Sequence, residues 1–108
     1  MAYAVENALF QWEEGEHRLR EAEDPARRQL EAAVELVLDE LRRRLGSSFT
    51  VGELADFYGE GTDWAADLAE RRFAGTDSTH VVNAAFRRYA REAADYGGGR
   101  LRRLSERD

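Results

Sequence analysis

The sequence predicts an all-α protein, a compact bundle of about five helices. A long N-terminal helical hairpin is expected, followed by three shorter helices. Three observations predict it. Apolar residues recur at helical pitch in each segment. No stretch sustains the period-two alternation of a half-buried strand. Breakers at Asp24-Pro25, Gly46, Gly59-Glu60-Gly61, Gly75 and Gly97-Gly98-Gly99 divide the 108 residues into rods.

The first helix is expected from Ala2 to Glu23. Val5, Trp12 and Leu19 recur every seven residues, and Ala8, Gly15 and Ala22 form a second row beside them. Small residues let another backbone approach closely. Val5, Ala8, Trp12, Gly15 and Leu19 are therefore a candidate self-association seam. Tyr3, Phe10 and His17 make a shoulder row. Glu14–Arg18 and Glu16–Arg20 are acid-first pairs four apart, each worth about 0.2–0.5 kcal/mol to a helix.

Asp24 is placed to cap the second helix, and Pro25 suits its first position. Leu30, Ala33, Val34, Val37, Leu38, Leu41 and Leu45 form a wide stripe, with Leu36 outside it. Contact on more than one side follows, so this helix is expected at the centre of the bundle. Arg42, Arg43 and Arg44 complement the macrodipole in its last turn, and Gly46 ends it.

Thr50 with Glu53 has the spacing of a capping box, and Phe49 with Leu54 that of a hydrophobic staple. The third helix should run from Val51 to Tyr58 and stop at Gly59. Thr62 or Asp63 then caps a fourth helix to about Ala74, with Trp64, Ala65, Leu68, Ala69 and Phe73 on its apolar face. The fifth should run from Ser78 to Tyr96, burying Val82, Ala85, Phe86, Tyr89, Ala93 and Tyr96. Residues 1–96 are thus expected as one domain. Residues 97–108 are expected as a flexible, Gly-rich hinge and Arg-rich tail.

Composition narrows the function classes. Apolar residues reach 43% and charged residues 35%, so a packed core with wet helix faces is expected. No segment is long and apolar enough for a bilayer, and Met1 to Glu6 lack the basic start of a secretory leader. A cytoplasmic location is the expectation. Cys is absent, which removes disulfides and thiolate chemistry. Every basic side chain is Arg, and Lys and Ile are missing; codon bias in a GC-rich bacterial genome explains this usage. Net charge is −6, with residues 1–24 at −5, 25–49 at +1, 50–76 at −4 and 77–108 at +2. An acidic front and a basic back suit a protein partner of opposite polarity.

Phe49-Thr50-Val51-Gly52-Glu53-Leu54-Ala55 resembles the opening of the first motif helix in MerR-like regulators. Leu54, Ala55, Tyr58, Gly59, Ala65 and Leu68 keep the spacings of such a helix-turn-helix, while Glu60 departs from the apolar residue usual there. The resemblance implies DNA binding through segment 50–74. Charge opposes it: Asp63, Asp67 and Glu70 lie along the would-be recognition helix, where cations are needed near phosphates. Nucleic-acid binding is therefore disfavoured.

A second cationic set is Arg87, Arg88 and Arg91, followed by Arg100, Arg102 and Arg103 in the tail. It is a candidate interaction surface, for protein or nucleic acid, unless its cations pair with the chain's own acids. Arg102-Arg103-Leu104-Ser105 has the form of a basophilic kinase site, of little weight in a bacterial chain. Glu14 and His17, with Glu13 and Glu21 near, match half of a di-iron carboxylate element. The second helix offers only Glu31, Glu35, Asp39 and Glu40 opposite, so pairing of His17 with Glu13 or Glu21 is expected and no metal is assigned. Asp77, Ser78 and His80 have triad chemistry but crowd one helix start, where capping accounts for the first two. The Gly clusters lack the preceding strand and following Lys of a phosphate loop. No catalytic residue and no cofactor are expected. The function expected is a non-enzymatic interaction module for a protein partner, a second copy included. A nucleic-acid-binding regulator is the alternative.

Overall fold

Five helices follow one another in the computed structural model, which describes residues 2–45, 51–73 and 78–96, with side chains over 5–45, 51–73 and 78–92. They are α1 (Ala2–Glu21), α2 (Ala26–Leu45), α3 (Val51–Glu60), α4 (Asp63–Arg72) and α5 (Ser78–Tyr96). There is no strand among the described residues, and the fold is an all-α bundle. No helix among them is long and apolar enough to cross a membrane.

The centre belongs to α5, not to α2 as the stripe suggested. α5 lies along α1 and α2 and also meets α4, whereas α1 and α2 touch each other only sparsely. The cause is local composition. Val81, Val82, Asn83, Ala84, Ala85 and Phe86 carry no charge and are all buried, so α5 is covered nearly all round over two turns. α2 buries Ala33, Val34, Val37, Leu38 and Leu41, but Glu35, Asp39 and Arg43 stay exposed.

α1 meets α5 through its small-residue row. A Cβ on Gly15 would lie 2.5 Å from Asn83 Cβ and 2.9 Å from both Ala84 N and His80 O. Only a residue without a side chain permits that approach. Val5, Ala8, Trp12 and Leu19 are buried along the same line. The seam read as a self-association surface is thus occupied inside the chain: the helix it receives is α5.

Aromatic rings fill the wider part of this contact. Trp12 stacks on Phe86 with centroids 5.7 Å apart, and the Tyr58 ring stands edge-on to both. The Tyr58 hydroxyl donates to Asn83 Oδ1 at 2.6 Å and sits 3.1 Å from Gln11 Oε1, so the side-chain carbonyl of the buried Asn83 is satisfied. Phe10, expected on the shoulder of the seam, points to solvent and is 69% exposed.

α3 rests on α1, whereas α4 rests on α2 and α5. α3 continues through Gly59 to Glu60, past the expected stop, with Gly59 itself in the helix. The chain turns instead at Gly61, whose φ of +135° favours glycine. Thr62 holds the cap position of α4; its carbonyl accepts from Ala65 and Ala66, and its side chain makes no cap bond. α4 buries Ala65 and Ala69, and the Arg44 guanidinium sits 4.1 Å from the centre of the partly buried Trp64 ring. Phe73 closes α4 with its N–H on Ala69 O.

α1 ends two residues before the expected Glu23. α2 begins after the cis Asp24–Pro25 peptide, and the Pro25 carbonyl accepts its first bonds from Arg28 and Gln29. The capping box at Thr50, the staple at Phe49, the stops at Gly46, Gly75 and Gly97–Gly99, and the tail with Arg100, Arg102, Arg103 and Ser105 lie outside the described residues.

Candidate functional site

Three ridges of charge meet where α5 runs between α1 and α2. On each helix the side chains are three or four apart and so share one face. α1 contributes Glu13, Glu16 and Arg20. α2 contributes Glu31, Glu35, Leu38 and Arg42. α5 contributes Arg87, Arg88, Arg91 and Glu92.

Arg88 is the hub. Its Nε and Nη2 donate to the two Glu16 oxygens at 3.0 and 2.8 Å, and its Nη1 and Nη2 donate to the Glu31 oxygens at 2.8 and 3.0 Å. One guanidinium therefore bridges α1, α2 and α5 through two bidentate pairs, the geometry for which its planar fork is suited. Those bonds raise the Arg88 pKa further above its ordinary value, while burial works the other way. Glu16 is 8% exposed, yet its pKa is lowered. The bond from Arg88 is the main cause; burial opposes it, and the fields of Arg88, Arg87 and Arg20 assist.

Two further pairs flank the hub. Arg87 Nε donates to Glu13 Oε2 at 2.6 Å. Arg42 binds both oxygens of Glu92 and also Asp39, joining α2 to α5. Together these pairs fix the walls of a groove of about 530 Å³. Arg20, Arg42, Arg87, Arg88 and Arg91 line it with Glu16, Glu35, Glu92 and Leu38. Arg20, Glu35 and Arg91 are exposed and have no ion-pair partner among the described residues.

The structure thus divides the cationic set read from sequence. Arg87 and Arg88 are tied to acids of α1 and α2, while Arg91 faces the groove unpaired among the described residues. Arg20, Glu35 and Arg42 were not singled out with that set. Their signal was present as helical spacing on α1 and α2, but it gains meaning only once α5 lies between those helices.

The other sequence candidates do not converge. His17 is exposed with Nε2 3.2 Å from Glu21, and Glu14 pairs with Arg18 at 3.4 Å. No group of three or more His, Asp or Glu able to hold a metal occurs among the described residues. Ser78 opens α5 and His80 is half-buried two residues on; Asp77 lies outside the described residues. On α4, Asp63, Asp67 and Glu70 are exposed, and Asp67 pairs with Arg71. The outer face of the helix-turn-helix-like segment is therefore acidic. No family model, curated protein or solved structure matches this chain.

Proposed function

We propose that this chain is a non-enzymatic interaction module of a bacterial cytosol, and that it binds another protein along the groove between α1, α2 and α5. The supporting observation is the division of labour among the groove's charges. Interhelical pairs hold its walls, and Arg20 and Arg91 are left without an ion pair among the described residues. Cations held on rigid helices and not neutralised internally steer and orient an oppositely charged partner. A different protein is favoured over a second copy docked by the α1 seam, because α5 already fills that seam. Nucleic acid is disfavoured by the acidic α4 face and by three carboxylates in the groove itself.

The test is capture from a bacterial lysate with the wild-type chain and with the Arg20→Ala/Arg91→Ala variant in parallel, before and after nuclease. The expected result is a protein retained by wild type at low salt, lost at about 0.5 M salt and lost in the variant. Retention that disappears with nuclease, or is unchanged in the variant, overturns the proposal.

A further inference from the structure

The groove carries more information than its excess of arginine. Arg88 is bound by Glu16 and Glu31, Arg87 at its Nε by Glu13, and Arg42 by Glu92 and Asp39, so the groove charges without an ion pair among the described residues are Arg20, Arg91 and Glu35. From this we infer that the groove takes an acidic peptide segment that also carries one cation. Two of its carboxylates meet Arg20 and Arg91, and a Lys or Arg side chain meets Glu35. The inference rests on the protein-binding reading above and names the chemistry of the partner.

The argument is one of matching signs. A phosphate chain presents anions only, so it satisfies Arg20 and Arg91 but brings negative charge against Glu35, Glu16 and Glu92. An uncharged or basic segment covers both guanidinium groups without giving them a partner, and a basic one adds repulsion. A segment with two acids and one base neutralises all three groups. Arginine is the suited receptor, since its fork donates two parallel bonds to a carboxylate, as Arg88 already does to Glu16. Leu38 on the groove wall offers apolar contact to the stem of the ligand's cationic side chain.

The experiment uses the full chain and fluorescein-labelled hexapeptide pools in randomised order. One pool holds two Glu, one Lys and three Ala; a second has Gln for Glu; a third has Ala for Lys. An oligo-dT is the fourth probe, and anisotropy is read at low salt. The expected result is saturable binding of the first pool, weakened about tenfold by Arg20→Ala/Arg91→Ala. Glu35→Gln weakens the first pool and strengthens the third, from which it removes a like charge. As a check independent of folding, Arg20→Glu/Glu35→Lys/Arg91→Glu binds a reciprocal pool of two Lys and one Glu. The inference is overturned if the first and second pools bind alike, if oligo-dT binds tighter than the first pool, or if the reciprocal pool fails with the reversed variant. It is also overturned if light scattering shows self-association that needs Arg20 and Arg91, since the occupant is then a second copy. Failure of the peptides with capture still dependent on Arg20 and Arg91 removes the ligand chemistry alone; failure of both removes the interaction reading as well.

Discussion

Gly15→Ala is the substitution that best tests how α1 and α5 are packed. In an isolated helix it stabilises, by about 0.8–1 kcal/mol, because glycine is a poor helix former. Here the new Cβ arrives 2.5 Å from Asn83 Cβ and 2.9 Å from two backbone atoms of α5. None of the three is the far end of a flexible side chain. Relief therefore requires α5 to retreat by about 1 Å to reach ordinary carbon–carbon separation. Such overpacking costs typically about 1–3 kcal/mol and occasionally more. It falls on the contact that holds Trp12 against Phe86, which places it in the upper part of that range. A net loss of about 2 kcal/mol is expected, or a fall in Tm on the order of 10 °C. Gly59→Ala is the matched control. It lies in α3 with nothing within 4 Å of the new Cβ, so it should stabilise by up to about 1 kcal/mol. Urea unfolding followed by far-UV circular dichroism and tryptophan fluorescence measures both. If Gly15→Ala proves as stable as Gly59→Ala, the close approach of α1 and α5 is wrong.

Three further outcomes are expected. Arg88→Ala should cost about 2 kcal/mol in urea unfolding, below the roughly 3–5 of a fully buried pair because Arg88 is a quarter exposed; Glu16→Leu/Arg88→Met should recover most of it, and equal losses in both variants contradict the pairing. The Glu16 carboxyl titrates below its ordinary 4.5, so its contribution is complete above that value and is lost as pH falls through the depressed one. The gap in urea midpoint between wild type and Glu16→Gln should then hold steady from pH 8 to about 5 and narrow progressively as the pH falls below 4.5; a gap that widens in acid refutes the assignment. Gly61→Ala should lower stability by about 1–3 kcal/mol through its positive φ, and a thermal melt unchanged from wild type counts against the turn described.

Much of the fold was legible because burial leaves a periodic trace in sequence. Val5, Trp12 and Leu19 on α1, and Val34, Val37 and Leu41 on α2, are buried where the spacing placed them. The identity of the helix facing Gly15 was not legible: a small-residue row signals close approach, but neither pitch nor composition separates a helix of the same chain from one of another. Asn83 was passed over because a polar residue breaks an apolar stripe, and its partner Tyr58 is distant in sequence. Gly59 and Gly61 are alike in composition, and only φ separates the one that continues a helix from the one that turns the chain. The groove was the least visible feature. Arg88 carried a charge signal, but Glu16 and Glu31 lie 72 and 57 positions away, beyond the reach of local spacing rules.

The helix that everything else leans on is made after the four it organises. During synthesis α1 emerges with Val5, Trp12 and Leu19 uncovered, and its main cover is missing until Val81 to Phe86 have left the ribosome. At roughly 5–20 residues per second that is an interval of several seconds. Closing the α1–α5 contact also spans most of the chain, so a large loop must be ordered before any of its burial is recovered. A nascent chain stalled ahead of α5 would offer a sticky, half-built surface to chaperones, and full release would withdraw it.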